Sequence, residues 1–148
     1  MDKFIIMPKN NEQIRIITKK QINTFDFILA VLLNEKIIEL YLTTYSIGKK
    51  TILQLKDLLD SGKILKLTLL INDGFKKFKP TEWNLLKTLN SQIKAEHNHS
   101  KIALIKTDKN YYVIEGSGNY STNGSIEQYC FDNNKNIFDF HKNWINLL

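Results

Sequence analysis

The apolar residues of this chain follow one rhythm through its first two-thirds and another through the last third. Gln13 to Thr18 (QIRIIT) alternates as a short strand after an Asn10-Asn11 turn. Thr24 is placed to cap a helix from about Phe25 to Leu33, with Asp26 in the first turn, where negative charge suits the helix dipole. That helix is apolar almost all round, the pattern of a covered element. Ile37 to Thr43 (IIELYLT) reads as a strand, and the polar turn from Thr44 to Gly48 opens a helix reaching about Leu59. Its apolar positions, Ile52, Leu55, Leu58 and Leu59, recur at helical spacing, and Gly62 follows as the C-cap glycine. Ile64 to Ile71 (ILKLTLLI) is nearly continuous in apolar character, as buried parallel strands are. Asn72-Asp73-Gly74 then turns the chain into a basic loop carrying Lys76, Lys77 and Lys79. Pro80 and Thr81 start a helix with Trp83, Leu86 and Leu89 inward.

Strand, helix, strand, helix in this order predicts parallel pairing with crossover helices. In such sheets ligands bind beyond the carboxyl ends of the strands. The 44–50 and 72–79 turns fall there, and both are rich in lysine and hydroxyls. In the final third, Ile102 to Thr107 and Tyr111 to Glu115 flank Asp108-Lys109-Asn110 as a hairpin. Ser125 to Phe131 is a further strand, Asp132 to Asn136 a polar turn, and the tail a closing helix with Ile137, His141, Trp144, Ile145 and Leu148 on one face. On that face His141 reads as a packed core histidine. The expected fold class is α/β, a mixed and mostly parallel β-sheet flanked by helices, in a single domain spanning residues 1–148.

A length of 148 residues fits one domain with a sizeable core. The net charge of +6 favours an anionic partner, nucleic acid first among them. The same lysine, asparagine and isoleucine excess also follows from AT-rich coding. Arg15 is the only arginine, so nearly all the positive charge is lysine. Lysine holds phosphate as a point charge, whereas arginine suits bidentate reading of base edges; contacts to the nucleic-acid backbone are therefore expected over sequence readout. Cys130 is the single cysteine, which excludes an internal disulfide and a multi-cysteine metal site. The N-terminal apolar stretch is too short for a secretory signal, and no run approaches the ~20 apolar residues of a membrane span. A cytoplasmic protein without membrane contact is the expectation.

The candidate chemistry is concentrated late in the chain. His99 and Lys101 lie two apart on an extended segment, so their side chains share one face. After the hairpin, Gly116 and Gly118 let the chain turn sharply and approach a ligand, while Ser117 and Asn119 offer a hydroxyl and an amide. The hairpin returns these groups beside His99 and Lys101. An imidazole, an ammonium, a hydroxyl and an amide at one place make a phosphate site with a nucleophile in it. His97 and His99 are also spaced to share a zinc ion, but no third ligand stands at suitable spacing, and no metal or cofactor is expected.

HxK, a hairpin, then GSxN resembles the signature of the phospholipase D superfamily, and the preceding alternation of strands and helices resembles its fold. The resemblance implies a half-unit of this length, two of which complete one active site, here as a homodimer. It implies catalysis without metal, one histidine attacking phosphorus to form a phosphohistidine and the other protonating the leaving oxygen. Carried onto this chain, His99 is nucleophile or acid, Lys101 and Asn119 bind phosphate, and Ser117 assists. Glu127 is the acidic residue that orients the histidine. In one place the chain departs from the pattern: Lys106 holds the usual aspartate position, and Asp108, in the turn, is its candidate replacement. The implied activity is hydrolysis of nucleic acid. The alternative is an inactive module that keeps the fold and binds DNA or RNA or serves in assembly.

Overall fold

A computed structural model describes residues 5–19, 22–120 and 124–148. In chain order its elements are β1 (Gln13–Lys19), α1 (Thr24–Leu32), β2 (Glu39–Thr44), α2 (Lys49–Asp60), β3 (Leu67–Asn72), α3 (Phe75–Phe78), α4 (Pro80–Leu86), β4 (Gln92–Glu96), β5 (Ile102–Lys106), β6 (Tyr111–Gly116), β7 (Ile126–Asn133) and α5 (Lys135–Asn146). The strands form one mixed sheet in the order β1-β7-β6-β5-β2-β3-β4.

Parallel pairing is confined to β2-β3 and β3-β4, where helices cross over between strands. The β1-β7, β2-β5, β5-β6 and β6-β7 pairs are antiparallel. The mixed sheet is as expected, but it is less parallel than the first two-thirds of the sequence implied. The difference lies in the antiparallel pairs β1–β7 and β2–β5, which take β1 and one side of β2 out of the parallel strand–helix series. The outermost pairing joins β1 to β7, bringing Gln13 opposite Asp132 and Lys19 opposite Ile126.

Alternation along the strands sorts the apolar residues onto two faces. Leu40, Leu42, Ala103, Ile105, Ile114 and Phe131 join Phe27 and Ile28 of α1 and Ile52 and Leu55 of α2 in one core. Tyr41, Leu104 and Val113 point the other way, onto Phe138 and Ile145 of α5. Each such side chain contributes roughly 1.5–3 kcal/mol on burial.

Four local expectations need correction. Asn23, not Thr24, caps α1: its side chain accepts from Phe25 and Asp26 N–H groups, and Asp26 returns a bond to the Asn23 N–H. Thr24 instead donates across the fold to the Gly118 carbonyl at 2.9 Å. The 75–79 segment contains the short helix α3, and Gln92–Glu96 is an edge strand that the polar sequence QIKAE concealed. β7 runs on to Asn133, with Asp132 and Asn133 buried rather than in an open turn. His99 and Lys101 precede β5, in the extended link from β4.

Candidate active site

The site is built on the carboxyl end of β2. Thr43 and Thr44 are both buried there, and their hydroxyls and carbonyls hold the segment that carries His99. Thr43 Oγ1 accepts the Ile102 N–H at 3.0 Å and lies 2.8 Å from Ser100 Oγ. The Thr44 carbonyl accepts from Asn98 Nδ2 at 3.1 Å. Asn98 is held on its other side by Asn72 at the end of β3, whose Oδ1 accepts the Asn98 N–H at 3.1 Å. Asn98 Oδ1 then accepts from the Ser100 N–H at 3.2 Å, a local Asx-type turn. With Asn98 and Ser100 tied inward, His99 is left exposed and Lys101 is drawn into the fold.

Lys101 is only 9% exposed. Its Nζ lies 3.1 Å from His99 Nδ1 and donates to the His99 carbonyl at 3.0 Å. Burial lowers the Lys101 pKa from its ordinary value, while the negative charge of Glu127 pulls it back up. An ammonium donating to Nδ1 leaves the proton of a neutral imidazole on Nε2. Tyr45, 40% exposed, packs its ring 5.3 Å from the His99 ring.

The GSGN turn comes to the same place. The Gly116 N–H donates to the Lys101 carbonyl at 3.2 Å, which sets the turn beside the lysine. Ser117 Oγ donates to the Glu127 carboxylate and accepts the Gln128 N–H at 3.1 Å. Asn119 Oδ1 accepts from Thr44 Oγ1 at 3.2 Å, so the asparagine rests on the strand end that holds Asn98. Next to it, Tyr120 is fully buried and donates to the Ile102 carbonyl at 2.8 Å. Tyr129 lies beneath both glycines: a Cβ on Gly116 would come 2.2 Å from its ring, and one on Gly118 would come 2.4 Å from its hydroxyl.

His99, Lys101, Ser117, Asn119 and Glu127 therefore gather at one end of the sheet. The other singled-out residues lie elsewhere. Lys106 closes β5 at the opposite end, and Asp108 is exposed in the following turn. The carboxylate anchoring that turn is Glu35, from the α1–β2 link. Glu35 Oε1 accepts from Thr107 Oγ1 at 2.8 Å and from Asn110 Nδ2 at 2.7 Å, and Oε2 accepts from Tyr112 at 3.0 Å. Asp108 is therefore not the replacement; a glutamate distant in sequence holds the hairpin. His97 is exposed, with Asp73 at 3.8 Å. His141 is packed as expected, on the α5 side, with Nε2 2.6 Å from Glu115 Oε1 and the Trp144 indole donating to Nδ1 at 2.9 Å. Among the described residues no helix is long and apolar enough to cross a membrane.

Sequence reasoning missed Tyr45, Asn98 and the paired threonines. The polar run Thr43-Thr44-Tyr45-Ser46 at a strand's carboxyl end was the available signal.

No family model and no curated protein matches the sequence. Solved structures do match. NucT from Helicobacter pylori superposes with a TM-score of 0.65 at 17% identity, over 91% of this chain and 94% of its own. Nuc from Salmonella typhimurium, a phospholipase D family member, superposes with a TM-score of 0.69 at 11% identity, over 91% of this chain and 93% of its own. TrmBL2, an archaeal chromatin protein that binds DNA, matches with a TM-score of 0.56 at 12% identity, over 89% of this chain and 50% of its own. With this strand order and this overlap, the chain has the fold of the phospholipase D superfamily.

Proposed function

We propose that the protein is a phospholipase D-type phosphodiesterase that hydrolyses nucleic acid as a homodimer, through a phosphohistidine. The observation that carries this reading is a buried ammonium at hydrogen-bond distance from an exposed imidazole, Lys101 on His99. A buried lysine with its pKa pushed down by desolvation gains from an arriving phosphate, which restores a charge partner. Asn119 and the Ser117–Glu127 pair lie at the same end of the sheet. Nucleic acid is the favoured substrate because the chain carries a +6 charge, nearly all of it lysine, and because one structural neighbour binds DNA.

In this mechanism the phosphate takes over the Lys101 protons and releases His99 Nδ1. The ring proton shifts to Nδ1, and Nε2 attacks phosphorus. The P–O bond to the leaving nucleotide breaks as the N–P bond forms, and the departing oxygen takes a proton from the second histidine. Water then attacks phosphorus, giving its proton back to that histidine as the N–P bond breaks. One HxK per chain means that the second histidine comes from a second copy.

Cleavage of a labelled oligonucleotide in the presence of EDTA tests the reading. His99→Ala and Lys101→Ala should abolish it without unfolding the protein, and acid-sensitive phosphate should be trapped on His99 of the parent chain. Undiminished cleavage by His99→Ala sinks the mechanism, and a monomer at working concentration sinks the dimer. The module reading predicts salt-dependent DNA binding with no turnover. Lys106 at the usual aspartate position favours that reading, whereas Glu35 supplies a carboxylate to the same hairpin.

A further inference from the structure

The β3–α3 corner carries an exposed aromatic ring among lysines, and Asn72 connects it to the segment that holds His99. Phe78, at the end of α3, is 69% exposed. Lys76, Lys77 and Lys79 around it are all exposed, and the Lys77 ammonium lies 6.0 Å from the Phe78 ring centre. Leaving a phenylalanine ring in water forgoes the roughly 1.5–3 kcal/mol its burial would contribute. Three like charges around the ring oppose its being covered by another copy of this basic chain. They suit a polyanion that also has flat apolar faces.

The corner is tied to the candidate active site. The Phe78 ring and the Asn72 amide both come 3.1 Å from the point a Cβ on Gly74 would occupy, so a side chain there would press on both. Asn72 Oδ1 accepts the N–H of Asn98, the residue before His99. The ring is thus linked through buried Asn72 and Asn98 to the imidazole, and exposed Asp73 and His97 adjoin the two asparagines in the chain. Tyr45 stands on the far side of His99, also exposed.

We propose that the α3 corner is a landing platform for a single strand of nucleic acid. An unpaired base stacks on Phe78, neighbouring phosphates lie against Lys76, Lys77 and Lys79, and the strand leads past His97 to His99. This rests on the nucleic-acid reading above and narrows it. A base in a duplex has both faces covered by its neighbours and cannot offer one to Phe78, whereas an unpaired base can; base–aromatic stacking tolerates any sequence.

Fluorescence anisotropy in EDTA tests the platform. The probes are a labelled 15-mer of deoxythymidine and a mixed-sequence duplex of the same length. The protein is the full chain with His99→Ala, so that neither probe is cut. Adding Phe78→Ala should raise the dissociation constant for the single strand about ten- to a hundred-fold and leave that for the duplex in place. Phe78→Tyr should restore most of the loss. Lys76→Ala with Lys77→Ala should flatten the dependence of log affinity on log salt by about 1.4, at ~0.7 per phosphate contact on a single strand. Unchanged single-strand binding in Phe78→Ala, or equal loss on both probes, overturns the platform. Lack of binding to either probe before Phe78 is touched overturns the nucleic-acid reading as well. Cleavage surviving His99→Ala overturns the mechanism and leaves the platform standing.

Discussion

The Tyr129 hydroxyl lies 2.4 Å from the point that a Cβ on Gly118 would occupy. The tyrosine is buried, and its hydroxyl has no hydrogen-bond partner among the described residues. The glycine is required by what lies under it. Gly118→Ala should therefore cost about 1–3 kcal/mol by overpacking and displace Asn119 from Thr44. Tyr129→Phe removes the obstructing oxygen, so the double variant should recover stability relative to Gly118→Ala alone. The same Tyr129→Phe change should not rescue Gly116→Ala, whose added carbon meets the ring itself at 2.2 Å. Chemical denaturation of the three single and two double variants reads out the coupling.

Lys101 is held in place at a cost to the fold. Burial lowers its pKa, so the folded state binds this proton less readily than the unfolded chain does. Stability rises with pH between the folded and unfolded values of this group. Lys101→Met should raise the melting temperature by roughly 2–4 °C at neutral pH, or ~1 kcal/mol, and abolish phosphodiester cleavage. The gain should vanish above the ordinary lysine pKa of about 10.4. A fall in melting temperature at pH 7 would show that the lysine's hydrogen bonds outweigh its burial.

Glu35 accepts three hydrogen bonds at the end of the sheet opposite His99. Glu35→Ala strands the Thr107, Asn110 and Tyr112 donors and should destabilise by about 1–3 kcal/mol. Activity per folded molecule should be unchanged, since only the hairpin's anchor is lost. Thermal melts together with single-turnover rates separate the two effects.

His141 holds the Glu115 carboxyl below its ordinary range through their hydrogen bond, and burial opposes the shift. A depressed carboxylate stabilises the fold above its unfolded value, about 4.3. That contribution is lost as the pH falls through the lower, folded value. The stability difference between the parent chain and His141→Phe should therefore shrink as the pH falls below about 4. Denaturation series at fixed pH values measure it.

Asn98 spans the ends of β2 and β3 and turns back onto Ser100. Asn98→Ala should lower the maximal rate about ten- to a hundred-fold while changing oligonucleotide affinity little, because misplacing a nucleophile acts on the transition state. Single-turnover rates and equilibrium binding distinguish the two.

The central strands were legible because β2, β3, β5 and β6 carry apolar runs that only burial explains. β4 was not, since an exposed edge strand keeps the polar residues of QIKAE. At the start of α1, both Asn23 and Thr24 have capping side chains, and the choice fell to the one that meets its own helix rather than Gly118. The HxK and GSxN residues were readable from their combination and its resemblance to the phospholipase D signature. Asn98 and Glu35 were not, because each acts on partners far away in the chain, and the polar run holding Thr43 and Tyr45 does not tell which distant groups they meet.

The pairing of β1 with β7 bears on when activity can first appear. Ser117 and Glu127 are fixed against each other only once β7 is in the sheet, and its outer partner is a strand more than a hundred positions earlier. Closing such a distant pair is slow compared with local structure. A chain still emerging from the ribosome holds β2, β3 and His99 before it holds the carboxylate that completes the pocket. Under the proposed function, hydrolytic competence waits until residue 133 is free to fold, so the site cannot form before β7 is complete.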